Sequence, residues 1–76
     1  MKRQSKPGVR QQVREIEVVQ RADGLFDVLL NRVRQERPFE EWSMQEILCV
    51  RFGYCGEEFE SILKDVRSEG SKTLYL

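Results

Sequence analysis

The chain has 76 residues, with 13 basic and 13 acidic side chains, no histidine, two cysteines and 39% hydrophobic content. That length holds one small domain and leaves no room for a dinucleotide-binding fold or a β/α barrel. The absence of histidine removes the commonest general base and metal ligand, and two cysteines alone do not make a structural zinc site. These counts argue against an enzyme and favour a small binding or regulatory module without cofactor, metal or small-molecule substrate.

The zero net charge conceals an uneven distribution. Lys2, Arg3, Lys6, Arg10 and Arg14 fall within the first 14 residues, which contain no acid, so the remaining chain carries the compensating negative charge. Residues 1–12 are too polar to bury themselves and read as a flexible basic arm; residues 13–76 read as one domain. Such an arm either contacts phosphate or an acidic surface, or is a solvated terminus. No apolar run is long enough to span a membrane, and no signal-peptide pattern is expected at the start. Cys49 falls in an apolar helical pattern and reads as a buried free thiol, so the expected compartment is the reducing cytoplasm.

In chain order, 15–20 read as a short strand or a loose helical turn, followed by a turn at Ala22-Asp23-Gly24. Phe26, Leu29, Leu30 and Val33 recur at helical spacing, which predicts a first helix closed by Arg37-Pro38. A competing reading pairs 15–20 with 25–30 as a β-hairpin across Asp23-Gly24. The helix is preferred, because the apolar residues of 25–30 would point to both faces of a strand. Ser43 and Glu46 form a capping-box pattern for a second helix over 43–52. Trp42 serves as a staple against Ile47, and Gly53 as the stop. Phe39 and Trp42 are expected in the core, whereas Tyr54, in the following turn, is expected to be exposed.

A third helix follows, with Phe59, Ile62, Leu63 and Val66 on one stripe, acids first, bases later and Gly70 at its end. The β-prone tail 73–76 needs a strand partner, for which 15–20 is the candidate.

The capped second helix, the Gly53-Tyr54-Cys55-Gly56 turn, the third helix and the β-prone tail together resemble a winged helix-turn-helix domain. The resemblance implies a mainly α fold with a small β element (α+β): three helices, with short strands at 15–20 and 73–76. It departs from the pattern in having no return strand after Leu76 and in placing Glu57, Glu58 and Glu60 where a recognition helix would meet phosphates.

Two functions follow. The first, preferred because the acidic helix is direct, is a non-catalytic regulatory module. It binds a larger protein or multi-subunit assembly, such as one of the transcription machinery, through Tyr54, Glu57, Glu58, Glu60 and Tyr75. The alternative, which the winged-helix resemblance implies, is a DNA-binding transcription regulator. It would use the arm (Lys2, Arg3, Lys6, Arg10, Arg14) with Arg51, Lys64, Arg67 and Lys72.

Overall fold

The computed structural model describes residues 12–76. The first long element is an antiparallel hairpin. Strand β1 (Glu15–Gln20) pairs with β2 (Phe26–Leu30), Val18 lying opposite Val28. Its turn is written in the sequence. The Gly24 N–H donates to the Arg21 carbonyl, the Leu25 N–H to the Asp23 side chain, and Gly24 takes φ +87°. A left-handed residue closing a three-residue loop suits glycine, which has no Cβ to clash there.

The helix predicted over the Phe26/Leu29/Leu30/Val33 stripe is therefore replaced by a strand. Phe26 and Val28 are buried with Leu30 packed beside them, while Asp27 and Leu29 face the other way. Leu29 breaks the apolar alternation, yet it stays half-covered on the opposite face. That one residue makes the strand resemble a helix in periodicity.

A tight turn at Asn31-Arg32 leads into the two-residue strand β3 (Val33–Arg34), which pairs with β2. Both turn residues have positive φ, 51° and 71°, as a type I′ hairpin turn requires. Phe39 then forms an isolated antiparallel bridge with Phe26. Helix α1 (Glu41–Glu46) continues as a π-helical segment, Ile47–Arg51, and helix α2 spans Glu57–Glu69. Gly70 ends α2 in the left-handed conformation, as the sequence predicts. Strand β4 (Ser71–Tyr75) returns antiparallel to β1 with Ile16 opposite Leu74, so the tail does find its partner in 15–20.

The result is a four-stranded antiparallel sheet in the order β3-β2-β1-β4 with the helices on one face. It corrects the mainly α, three-helix expectation: strands β2 and β3 stand where the first helix was predicted, and β4 lies in a full sheet instead of a short wing. Two packed layers suffice because each presents one apolar surface. The sheet contributes Ile16, Val18, Phe26 and Val28. The helical layer contributes Met44, Leu48, Phe59, Ile62, Leu63 and Val66.

The start of α1 also differs from expectation. Glu40 occupies the N-cap position without a side-chain cap bond, and Ser43 lies inside the helix. Phe39 packs against the core, but Trp42 is 63% exposed, its indole N–H donating to Glu40 Oε1 at 2.7 Å. The N-cap thus lies three residues earlier than the capping-box pattern predicts, and Trp42 falls inside the helix on its exposed side while Met44 is buried.

Cys49 and Cys55 form a disulfide, with their Cα atoms 4.5 Å apart. This corrects the reading of Cys49 as a buried free thiol. The bridge spans the end of the π-helical segment and the turn before α2, where Gly53 and Gly56 both take positive φ. No helix among the described residues is long and apolar enough to cross a membrane.

Candidate protein-docking edge

Strand register decides which backbone groups of β4 are occupied. At one end of the β1–β4 ladder the Gln20 N–H donates to the Gly70 carbonyl at 2.8 Å; at the other the Leu76 N–H donates to the Arg14 carbonyl at 2.9 Å. In an antiparallel ladder these contacts alternate along each strand. Lys72 and Leu74 thus turn their backbone N–H and C=O groups toward β1, and Ser71, Thr73 and Tyr75 turn theirs outward. No backbone group of the described residues answers them. Tyr75 is 77% exposed and ends the strand.

The same register sorts the side chains. Directly opposed residues share a face. Ile16 with Leu30 and Leu74, and Val18 with Val28 and Lys72, look toward the helices. Glu15 with Tyr75, Glu17 with Leu29 and Thr73, and Val19 with Asp27 and Ser71 form the open face. Charges there are partly paired: Arg21 reaches Asp27, and Arg32 reaches Glu15.

Helix α2 flanks the β4 edge from the other side. Asp65 meets Lys72 Nζ at 3.1 Å, which places one flank of the helix over β4. Glu58, seven residues earlier, and Glu69, four later, share that flank. The opposite flank carries Glu60, Leu63, Lys64, Arg67 and Ser68, which line a shallow groove, and Arg67 pairs with Glu41 of α1.

The sequence-predicted sites are consequently divided. Tyr75 stands on the open edge and Glu58 on the flank above it. Glu57 is exposed at the start of α2, and Glu60 lies on the far flank. Tyr54 is not the exposed aromatic expected of a turn residue: it is half-buried and packs against the core inside the disulfide-closed loop. Of the predicted nucleic-acid contacts, Lys2, Arg3, Lys6 and Arg10 lie outside the described residues. Arg14 is exposed at the start of β1, its N–H donating to the Asn31 side chain at 2.7 Å. Arg51 lies over the Phe52 ring, Arg67 and Lys72 are held in ion pairs, and Lys64 lies in the groove. These four cations do not gather on one surface, since Lys72 and Arg67 lie on opposite flanks of α2.

Ser71 and Thr73 were not among the predicted site residues. Their signal is the alternation of Ser-Lys-Thr-Leu-Tyr, which puts every second backbone group on an edge once β4 is known to be terminal in the sheet. Among the described residues no cluster of three or more acidic or cysteine side chains is arranged to hold a metal. Comparison with known proteins yields no matching family model, no matching curated protein and no matching solved structure.

Proposed function

We propose that this domain is a small, non-catalytic module that binds a larger protein partner and modulates it, with β4 as its contact edge. The observation that carries this reading is the row of outward backbone groups at Ser71, Thr73 and Tyr75. An unpaired strand edge is a template for another chain, because main-chain hydrogen bonds supply affinity without a preformed pocket. Exposed Tyr75 adds an aromatic side chain of the kind enriched at binding hot spots. The transcriptional setting was implied by the winged-helix resemblance, whose three-helix arrangement this fold replaces, so docking alone is proposed. A cytoplasmic setting is no longer favoured by the cysteines, because they are paired.

DNA binding is the second reading, favoured by the basic arm residues Lys2, Arg3, Lys6, Arg10 and Arg14. Against it, Glu57, Glu58 and Glu60 occupy the first turn of α2, and two of the supporting cations are already paired.

A photo-crosslinking residue placed at Tyr75 of the full chain separates the two in cell lysate. Protein adducts that persist after nuclease treatment are the expected result. Adducts that vanish with nuclease, together with duplex affinity falling steeply with salt, overturn the reading in favour of DNA.

A further inference from the structure

We infer that the β4 edge accepts an extended segment in which basic side chains alternate with β-branched or other apolar ones, added as a fifth strand of the sheet. This rests on the protein-binding reading and specifies its partner.

The backbone fixes the mode of binding. Ser71, Thr73 and Tyr75 offer N–H and C=O groups at every second position of a five-residue strand. A strand laid against them continues the pleat of the sheet, so its side chains alternate between the same two faces. On the helix side, the added side chains lie beside Lys72 and Leu74, beneath the α2 flank of Glu58, Asp65 and Glu69. Asp65 is already paired with Lys72, whereas Glu58 and Glu69 have no ion-pair partner among the described residues. Positive charge is therefore favoured at those positions.

On the open face, the added side chains lie beside Ser71, Thr73 and Tyr75. Cross-strand pairs of β-branched residues with threonine, or of aliphatic residues with an aromatic ring, are favourable in such a register.

The same charge pattern argues against a second copy as the occupant. Two β4 edges joined by a two-fold axis would keep both α2 helices on one side of the combined sheet. Their Glu58/Asp65/Glu69 flanks would then face each other, like charge against like charge.

The test uses the full chain and a fluorescent octapeptide of alternating lysine and valine as the probe. Its controls are an octapeptide of alternating glutamate and valine, and the lysine peptide N-methylated at alternate residues on its bonding edge. Fluorescence anisotropy reads affinity; amide hydrogen exchange reads the Ser71, Thr73 and Tyr75 N–H groups. The expected result is binding of the lysine peptide with slowed exchange at those three amides, and both controls weaker by about tenfold or more. The exposed pair Glu58→Lys and Glu69→Lys should reverse the preference between the two charged peptides without loss of fold.

Equal binding of the controls, or no binding of the lysine peptide, overturns the inference. So does protection of the three amides in the free protein, where the edge is held by the chain's own arm or by a second copy; sedimentation tells which. If Tyr75 still crosslinks to a protein in lysate while the peptide preference is absent, the inference fails and the module reading stands. If no protein adduct forms at all, the module reading itself fails.

Discussion

The two edges of the sheet are finished differently, and the contrast separates what stabilises the domain from what it can offer a partner. On the far side, β2 is covered by the two-residue β3 and the bridge at Phe39, which leaves only a very short edge. The Phe26 and Phe39 backbones exchange hydrogen bonds of 2.8 and 2.7 Å, and the Gln35 N–H reaches the Val28 carbonyl at 2.9 Å. That cover comes from the segment directly following β2, at little cost in loop entropy. On the β4 side, no backbone group of the described residues answers Ser71, Thr73 or Tyr75. Side chains follow the same division: Phe26 is buried, whereas Tyr75 is 77% exposed.

Truncating one residue at each edge gives the largest test of this contrast. Phe26→Ala removes a buried ring from the core and is expected to cost about 3–5 kcal/mol, enough to unfold most of so small a domain. Tyr75→Ala is expected to change stability by no more than about 0.5 kcal/mol. Urea unfolding of both variants checks the pair. A comparable loss from Tyr75→Ala would mean that the open edge is part of the core, and the contrast would collapse.

The disulfide sharpens the comparison by acting on the helical layer, away from both edges. Cys49 and Cys55 are six positions apart and close a short loop that contains half-buried Tyr54. Cross-linking so short a loop is expected to stabilise the fold by about 2 kcal/mol. Replacing both cysteines by serine should lower the melting temperature accordingly. Dithiothreitol should bring the native chain down to the same value and leave the variant unmoved. Amide exchange at Ser71, Thr73 and Tyr75 should stay unchanged, since their outward backbone groups bond to nothing in the loop.

The parts of the fold that could be read from sequence are those where one local signal dominates. Helix α2 is legible because four apolar residues, an acidic first turn and Gly70 all point the same way. The pairing of the tail with 15–20 is legible because an apolar β-prone segment must satisfy its backbone somewhere. The hairpin is misread because Leu29, opposite Glu17 on the open face, supplies an apolar residue where alternation calls for a polar one. The disulfide is invisible to spacing alone: the approach of Cys49 to Cys55 depends on the π-helical turn and on two glycines with positive φ. As for the candidate site, Tyr75 and Glu58 can be singled out from their residue types. The edge itself cannot, because whether a strand is terminal in a sheet is a property of the whole topology.

A smaller effect tests the β2–β3 turn, which also ties down the start of β1. The β2–β3 turn places Arg32 at φ 71°, a region that costs a residue with a Cβ about 1 kcal/mol relative to glycine. Its contact with Glu15, at 3.5 Å, is made by a side chain 83% exposed and so contributes little. Arg32→Gly is therefore expected to stabilise the domain by up to about 1 kcal/mol, giving the Asn-Gly pair that type I′ turns favour. Asn31→Ala should act in the opposite direction. The Asn31 side chain accepts from the Arg14 and Glu15 N–H groups at 2.7 and 3.1 Å and donates to the Gln12 carbonyl at 2.9 Å. Urea midpoints of the two variants should fall on either side of the native value. If both fall below it, the turn is not strained at Arg32.

The smallest expected effect concerns the turn of the β1–β2 hairpin, which holds the strand shared by both halves of the sheet. The Arg21 side chain donates to the Asp23 carboxylate, and the Leu25 N–H adds a second bond, holding the Asp23 carboxyl below its ordinary range. Because the folded state binds this proton less tightly than the unfolded chain does, Asp23 contributes stability above its unfolded pKa. That contribution declines as the pH falls below the unfolded pKa and is gone below the folded one. Asp23→Asn keeps an acceptor for Leu25 but loses the charge. The variant should be slightly less stable than the native chain at neutral pH, with the gap closing in acid. Carboxyl NMR titration should place the Asp23 midpoint below that of an aspartate in a short peptide. A midpoint at or above the peptide value, or a gap that widens in acid, would show that Arg21 does not hold this turn. The integrity of β1 would then rest on its two ladders alone.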